Sequence, residues 1–201
     1  MRGAARTPAQ SALDDRVAGD GEVIVYESAG QSWAVSWHRP DSAPAGTPHG
    51  ANAFCVTDDA GVVLISRDGK RWGWPGGRPE GAESWADTLR RETLEETCSR
   101  VAEARLLGFT RSTCQSGHES GLVLVRGIWR AEVDLLPWRP RFEIPWRRVV
   151  PIAELGDHLW MEDGLEPIFR RAVVEAGIPP WWAGGEDGPS APAGNTAAKR
   201  R

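Results

Sequence analysis

Cysteine is scarce in this 201-residue sequence: Cys55, Cys98 and Cys114 make an odd number with no C-x-x-C spacing. That excludes a disulfide framework and a cysteine-built zinc site, and the three read as reduced thiols. No stretch approaches the ~18 consecutive apolar residues of a membrane span. The N-terminal Met-Arg-Gly-Ala-Ala-Arg leads into polar residues without the apolar core of a secretory leader. A cytoplasmic protein, off the membrane, is expected. Positive charge is not in excess, with 24 Lys and Arg against 28 Asp and Glu for a net charge of −4. Such a chain has no overall attraction to nucleic acid or to an anionic bilayer, so a polymeric nucleic-acid partner is disfavoured. Tyrosine occurs once against eleven tryptophans, and these are scattered through apolar positions that read mostly as core.

With 40% hydrophobic and 26% charged residues, the chain fits one globular domain over residues 21–178. Residues 1–20 are polar and without periodicity, and 179–201 are rich in Gly, Pro and Ala, so both are expected to be flexible tails. E-V-I-V-Y-E and S-W-A-V-S-W flank S-A-G-Q and predict an N-terminal β-hairpin. A Pro- and Gly-rich loop from Arg39 to Gly50 follows. A-N-A-F-C-V-T and V-V-L-I-S-R around D-D-A-G predict a second hairpin, and R-W-G-W-P a short strand entering the Gly76-Gly77 turn. Ser84 and Asp87 make a capping-box pattern that starts a helix and leaves Glu83 just outside it. Trp85, Ala86, Leu89, Thr93 and Thr97 form its apolar stripe. Further strands are expected at Ala104–Cys114, Gly121–Val133 and Arg147–Ile152, then a helix over Leu165–Ala176 that Gly177 and Pro179-Pro180 end. Trp72 and Trp74 read as packing beside the turn, and Trp181-Trp182 as a clamp of the tail onto the domain. The N-terminal hairpin either packs on its own core or exchanges with a second subunit in a homodimer.

Chemistry concentrates in the predicted helix. At about 100° per residue, Glu92, Glu95 and Glu96 share one arc of its surface, where like charges repel. They also lie toward the C-terminal end, where the helix dipole disfavours anions, and Arg90 and Arg91 offset only part of this. A hard divalent cation suits such clustered oxygens, and Mg²⁺ typically joins one or two carboxylates to substrate phosphates. Alone, E-x-x-E-E reads as a solvated helix face. In register with Gly77, Glu83 and Arg91 it reads as a metal site, since six fixed identities in one window arise by chance at very roughly 1 in 10⁷.

Gly77, five residues, Glu83, seven residues, Arg91-Glu92, two residues, Glu95-Glu96 resembles the Nudix box of the Nudix hydrolases (MutT-like). W-G-W-P-G-G ahead of it and V-V-P-I-A-E-L before the last helix resemble the segments that open and close that fold, so the likeness covers about residues 22–178. It implies an α/β fold, a Nudix α/β/α sandwich around a mixed central sheet, here with an N-terminal β-hairpin extension. It implies a metal-dependent hydrolase that cleaves a pyrophosphate bond in a nucleoside diphosphate linked to another group, with Mg²⁺ or Mn²⁺ as cofactor. Glu92, Glu95 and Glu96 would be metal ligands together with the Gly76 carbonyl, Arg91 would orient the carboxylates, and Glu83 would fold back onto the cluster. Glu143 is the first candidate for a general base outside the box, and Glu119 the second. His118 reads as a solvated loop histidine.

Two positions depart from the family pattern. Thr93 stands where an apolar residue is usual and still packs through its methyl. Cys98 replaces the usual glycine, so the turn after the helix must avoid or tolerate a left-handed backbone. The alternative function is a Nudix-like domain that senses a nucleotide without cleaving it, although such domains often lose box glutamates. Prenyl-diphosphate isomerisation would need a catalytic cysteine motif that is not found. Substrate-specific signatures beyond the box are not evident, and the nucleotide stays open.

Overall fold

The computed structural model describes residues 15–140 and 142–183. Strands β1 (Val23–Ser28) and β2 (Gln31–His38) form the first expected hairpin. Its loop holds Ala29 at φ 50° and Gly30 at φ 74°, the two positive φ angles of a type I′ turn, whose twist suits a two-residue connection. β3 (Thr47–Val56) and β4 (Gly61–Ser66) make the second hairpin, and the two-residue β5 (Gly76–Gly77) pairs with β3. Helix α1 (Trp85–Thr97) is followed by two long strands, β6 (Ser99–Ser116) and β7 (Val123–Leu135), and then β8 (Trp146–Pro151). A 3-10 turn, a four-residue helix α2 (Leu155–His158) and α3 (Glu166–Glu175) complete the domain.

The eight strands form one sheet in the order β1-β2-β6-β7-β3-β4-β8, with β5 attached to β3. All pairings are antiparallel except β3 with β7, so the sheet is mixed as expected. The hairpin packs on its own chain, β2 pairing with β6 from Ser32↔Ser116 to His38↔Phe109. Alternation along β3 divides the core. Ala51, Ala53 and Cys55 pack with Leu89 of α1, while Phe54 joins Ile168, Ala172 and Val173 of α3 on the other face. A helix thus covers each face of the sheet, giving the α/β/α sandwich.

Four boundaries differ from the sequence expectation. The loop expected to reach Gly50 ends earlier, because Thr47 already pairs with Leu124. R-W-G-W-P is not a regular strand: Trp72 and Gly73 make single bridges to Leu159 and Ile65. β6 begins at Ser99, well before Ala104, because one residue, Cys98, turns the chain out of α1. The tails expected at 1–20 and 179–201 lie largely outside the described residues. Within them, Ala18 is buried and its N–H donates to the Pro167 carbonyl at 3.0 Å, so packing against α3 starts before residue 21. At the other end Trp181 lies against Gly156, and Arg170 sits 5.6 Å over the Trp182 ring, a clamp of the kind expected for this pair.

Local chemistry fixes α1. The Ser84 hydroxyl accepts from Asp87 N–H at 3.2 Å and the Asp87 carboxylate accepts from Ser84 N–H at 3.3 Å, a reciprocal cap that satisfies two otherwise orphaned donors. Leu89, Thr93 and Thr97 of the expected stripe are buried, Trp85 and Ala86 half-buried, and Thr88 adds a buried position the stripe omitted. At the C-terminal end Cys98 adopts φ 48°, ψ 48°, and its N–H reaches the Leu94 carbonyl at 3.1 Å. The cysteine therefore takes the left-handed turn itself, at a steric cost of about 1 kcal/mol relative to glycine.

Candidate active site

The carboxylate face of α1 lies against β5. Glycine is required at Gly76, where a Cβ, at φ 150°, would strike the Ala51 carbonyl and Asn52, and a Cβ on Gly77 would displace the Glu92 carboxylate. Glu96, deepest of the three and only 7% exposed, accepts the Gly76 N–H at 2.8 Å. Burial resists its negative charge and pushes its pKa up to about 7, with Glu92 adding to the rise against the Gly76 hydrogen bond. Burial likewise raises Glu92. Both carboxyls sit where a nearby cation would lower their energy.

Arg91 organises the rest. Its Nε and Nη2 donate to the two oxygens of Glu83 at 2.8 and 3.0 Å, a bidentate pair. Nη1 reaches Glu92 at 2.9 Å and Glu95 at 3.2 Å, and Nη2 also holds the Arg78 carbonyl at 2.8 Å. The Arg91 bonds, then the Glu80 N–H, hold Glu83 down at about 2, and Glu83 in turn raises Arg91. Thr88, the buried residue off the expected stripe, donates to Glu83 at 3.0 Å. Glu83, Arg91, Glu92 and Glu95 thus form one connected group, with Glu96 beside it. Among the described residues no three His, Cys, Asp or Glu side chains are already gathered into a metal-ligating set, since Arg91 engages Glu92 and Glu95 while Gly76 engages Glu96. The donor chemistry nonetheless fits a hard cation: carboxylate oxygens on one helix face, opposite a glycine turn that admits close approach.

The other sequence candidates separate. Glu143 is exposed, paired with Arg67 at 3.1 Å, and close enough for its charge to raise both Glu92 and Glu96. Glu119 does not join the cluster. It accepts from Gln31 at 2.9 Å and lines a cavity on the α3 face of the sheet. His118 is exposed, as expected. The cysteines are free, and burial pushes the Cys55 thiol up to about 12, leaving it inert. No helix among the described residues is long and apolar enough to cross a membrane.

Sequence reasoning passed over the cavity itself, of about 630 Å³, walled by β1, β2, β3, β6, β7 and α3. Arg126 lies in its wall, donating to Asn52 Oδ1 and set 3.2 Å from where a Cβ on Gly50 would stand. Desolvation lowers its pKa, and so does Arg78 nearby. Desolvation, then Arg126 and Arg78, push His49 down to about 4, so it is neutral. The only advance signal was an arginine inside an otherwise apolar strand, V-L-V-R-G-I.

A mixed sheet between helices, with an arginine-clamped acidic helix face set on a glycine turn, defines an α/β sandwich of hydrolase type. The family model described as the NUDIX domain matches residues 46–172, and the chain belongs to the Nudix hydrolase family. Among solved structures it is similar to the Bacillus subtilis pyrophosphohydrolase BsRppH, at 21% identity over 77% of this chain and 99% of that one, TM-score 0.58. It is also similar to a NUDIX hydrolase from Nitrosomonas europaea, at 22% identity over 67% of this chain and 91% of that one, TM-score 0.50. At these identities the likeness is one of fold. No curated protein matches the chain.

Proposed function

We propose that the protein is a cytoplasmic metal-dependent hydrolase that cleaves the pyrophosphate bond of a nucleoside diphosphate linked to a second group. The observation that carries this reading is the placement of Glu92, Glu95 and Glu96 on one helix face against Gly76-Gly77, with Arg91 and Glu83 bracing them. Glu92, Glu95, Glu96 and the Gly76 carbonyl would hold Mg²⁺ or Mn²⁺. When bound, such an ion neutralises the diphosphate, stabilises the leaving phosphate and lowers the pKa of water. Arg91 keeps Glu92 and Glu95 oriented, and Glu83 keeps Arg91 in place. Glu143, exposed and held by Arg67, is the candidate to take the proton of the attacking water. Water adds to one phosphorus, the bridging P–O bond breaks, and the leaving phosphate departs with the electron pair.

Glu96→Gln tests this reading with little cost to the fold, because the amide oxygen can still accept the Gly76 N–H. The variant, and the wild type in EDTA, are expected to release no phosphate products from a nucleotide panel that the wild type hydrolyses with Mg²⁺. Undiminished turnover in either would defeat the proposal. Saturable nucleotide binding by the wild type without any turnover would favour the sensing alternative.

A further inference from the structure

The Gly73–Arg78 segment carries a second consequence, because it runs between two cavities. Trp74 and Arg78 face the cavity of about 630 Å³. Gly73 and Gly76 line another of about 380 Å³, whose wall includes Glu96 itself. Glu96 of the acidic helix face therefore borders the smaller cavity, and the Gly73–Arg78 segment separates it from the larger one. A nucleoside triphosphate would need one roomy side for its nucleoside, and on the other only a place for a terminal phosphate.

The smaller cavity is poorly suited to a terminal phosphate. Its ionisable lining is two arginines, Arg67 and Arg71, against two carboxylates, Asp68 and Glu96. Arg67 is already engaged by Glu143 at 3.1 Å. Asp68 is fixed by the N–H groups of Lys70 and Arg71, at 2.8 and 2.9 Å, so the loop that carries Arg71 is ordered around a negative charge. The rest of its lining is mostly apolar, with Ile65, Ile144 and Trp160 beside Ser66 and two glycines. Trp160 is 45% exposed, with the Arg71 guanidinium 5.3 Å from the centre of its ring. An exposed indole braced by an arginine is a stacking platform for a planar ring, a sequence-tolerant contact that any base can make.

The larger cavity is ordered by charge. Arg126 and Arg78 stand in its wall near β5, where the Arg126 guanidinium lies beside Gly50. Among the described residues Arg126 forms no ion pair with a carboxylate, and Asn52 is the partner it has. A partly buried cation left this way favours an anionic ligand group. At the hairpin end two carboxylates are tied to the β1–β2 turn, Glu162 by Ser28 at 2.6 Å and Glu119 by Gln31 at 2.9 Å. They favour hydroxyl and amino donors and repel a second phosphate.

Resting on the hydrolase reading above, we propose that the substrate is a two-armed diphosphate of the dinucleotide class. One nucleoside occupies the hairpin cavity, with its phosphate on Arg126 and Arg78, and a second planar group stacks on Trp160. Hydrolysis adds one water across the P–O–P bridge of such a molecule and yields two monophosphates, one from each arm.

Calorimetric titration in the Glu96→Gln background with Mg²⁺, where no hydrolysis interferes, isolates the recognition step. The probes are a dinucleoside diphosphate with adenosine on both ends, and ADP, which offers the same diphosphate with one arm. The dinucleotide is expected to bind about tenfold more tightly. Trp160→Ala, at an exposed ring, should erase that difference while leaving ADP affinity unchanged, and Arg71→Met should reduce it. In the wild type with Mg²⁺, the dinucleotide should exceed ATP in kcat/KM by a similar factor. Equal affinities for the two probes, or a preference for ATP in turnover, would overturn the proposal, as would an unaltered ratio in folded Trp160→Ala. Loss of all turnover with the affinity difference intact would strike at the hydrolase reading instead.

Discussion

Arg91 makes five hydrogen bonds to four residues, and three of those residues are carboxylates of the box. A planar fork can pair with Glu83 on one edge and still reach Glu92 and Glu95 with Nη1; an ammonium cannot. Arg91→Lys keeps the charge and loses the geometry. Residues that orient metal ligands typically cost 10–100-fold when changed, so kcat is expected to fall by about that factor, with more Mg²⁺ needed for half-maximal rate. A Mg²⁺ titration of initial rates checks both, and unchanged values would mean that Arg91 supports the fold alone. At this scale the acidic cluster was legible because its members lie within one helix turn of each other. Arg126 was not, because its meaning comes from Asn52 and Gly50, more than seventy positions away in the chain, which only the parallel pairing of β3 with β7 brings beside it.

Among the elements, α1 carries the site, and its first turn is where sequence and structure agree most closely. The Ser84–Asp87 box starts the helix one residue after Glu83, which leaves that carboxylate outside it and free to fold back on Arg91. Ser84→Ala removes the acceptor for the Asp87 N–H and is expected to cost about 1 kcal/mol, measurable as a lower midpoint in urea with an unchanged slope. Activity should fall less than in Arg91→Lys, since Glu83 keeps its bonds from Glu80 N–H and Thr88. An unaltered midpoint would show that packing against β3 fixes the helix start without the cap. The hairpins were equally legible, since both have short polar turns between β-rich runs. The start of β6 was hidden because a single left-handed cysteine replaces the Gly or Pro that normally announces a turn. R-W-G-W-P carried strand-like residues, yet it folds as isolated bridges because its role is to lead into the glycine turn.

For the whole molecule, the region matched by the family model begins at residue 46, yet the packed core does not. Trp37 is fully buried, and Trp33 and Val35 are 8% and 3% exposed, all three in one cluster with Phe54, Leu107 and Ile168. Truncating a single buried aromatic typically costs 3–5 kcal/mol, roughly, while a domain of this size has about 5–15 kcal/mol of net stability. Removing two tryptophans, together with the β2–β6 pairing, therefore takes away stabilisation of the same order as the whole net stability of the domain. A chain beginning at residue 46 is expected to show no cooperative thermal transition, even though it retains the entire acidic box. Differential scanning calorimetry of that chain beside the full one decides the matter. A sharp transition in the shorter chain would make the hairpin an accessory, whereas its loss would make the hairpin both a structural edge of the sheet and a wall of the larger cavity.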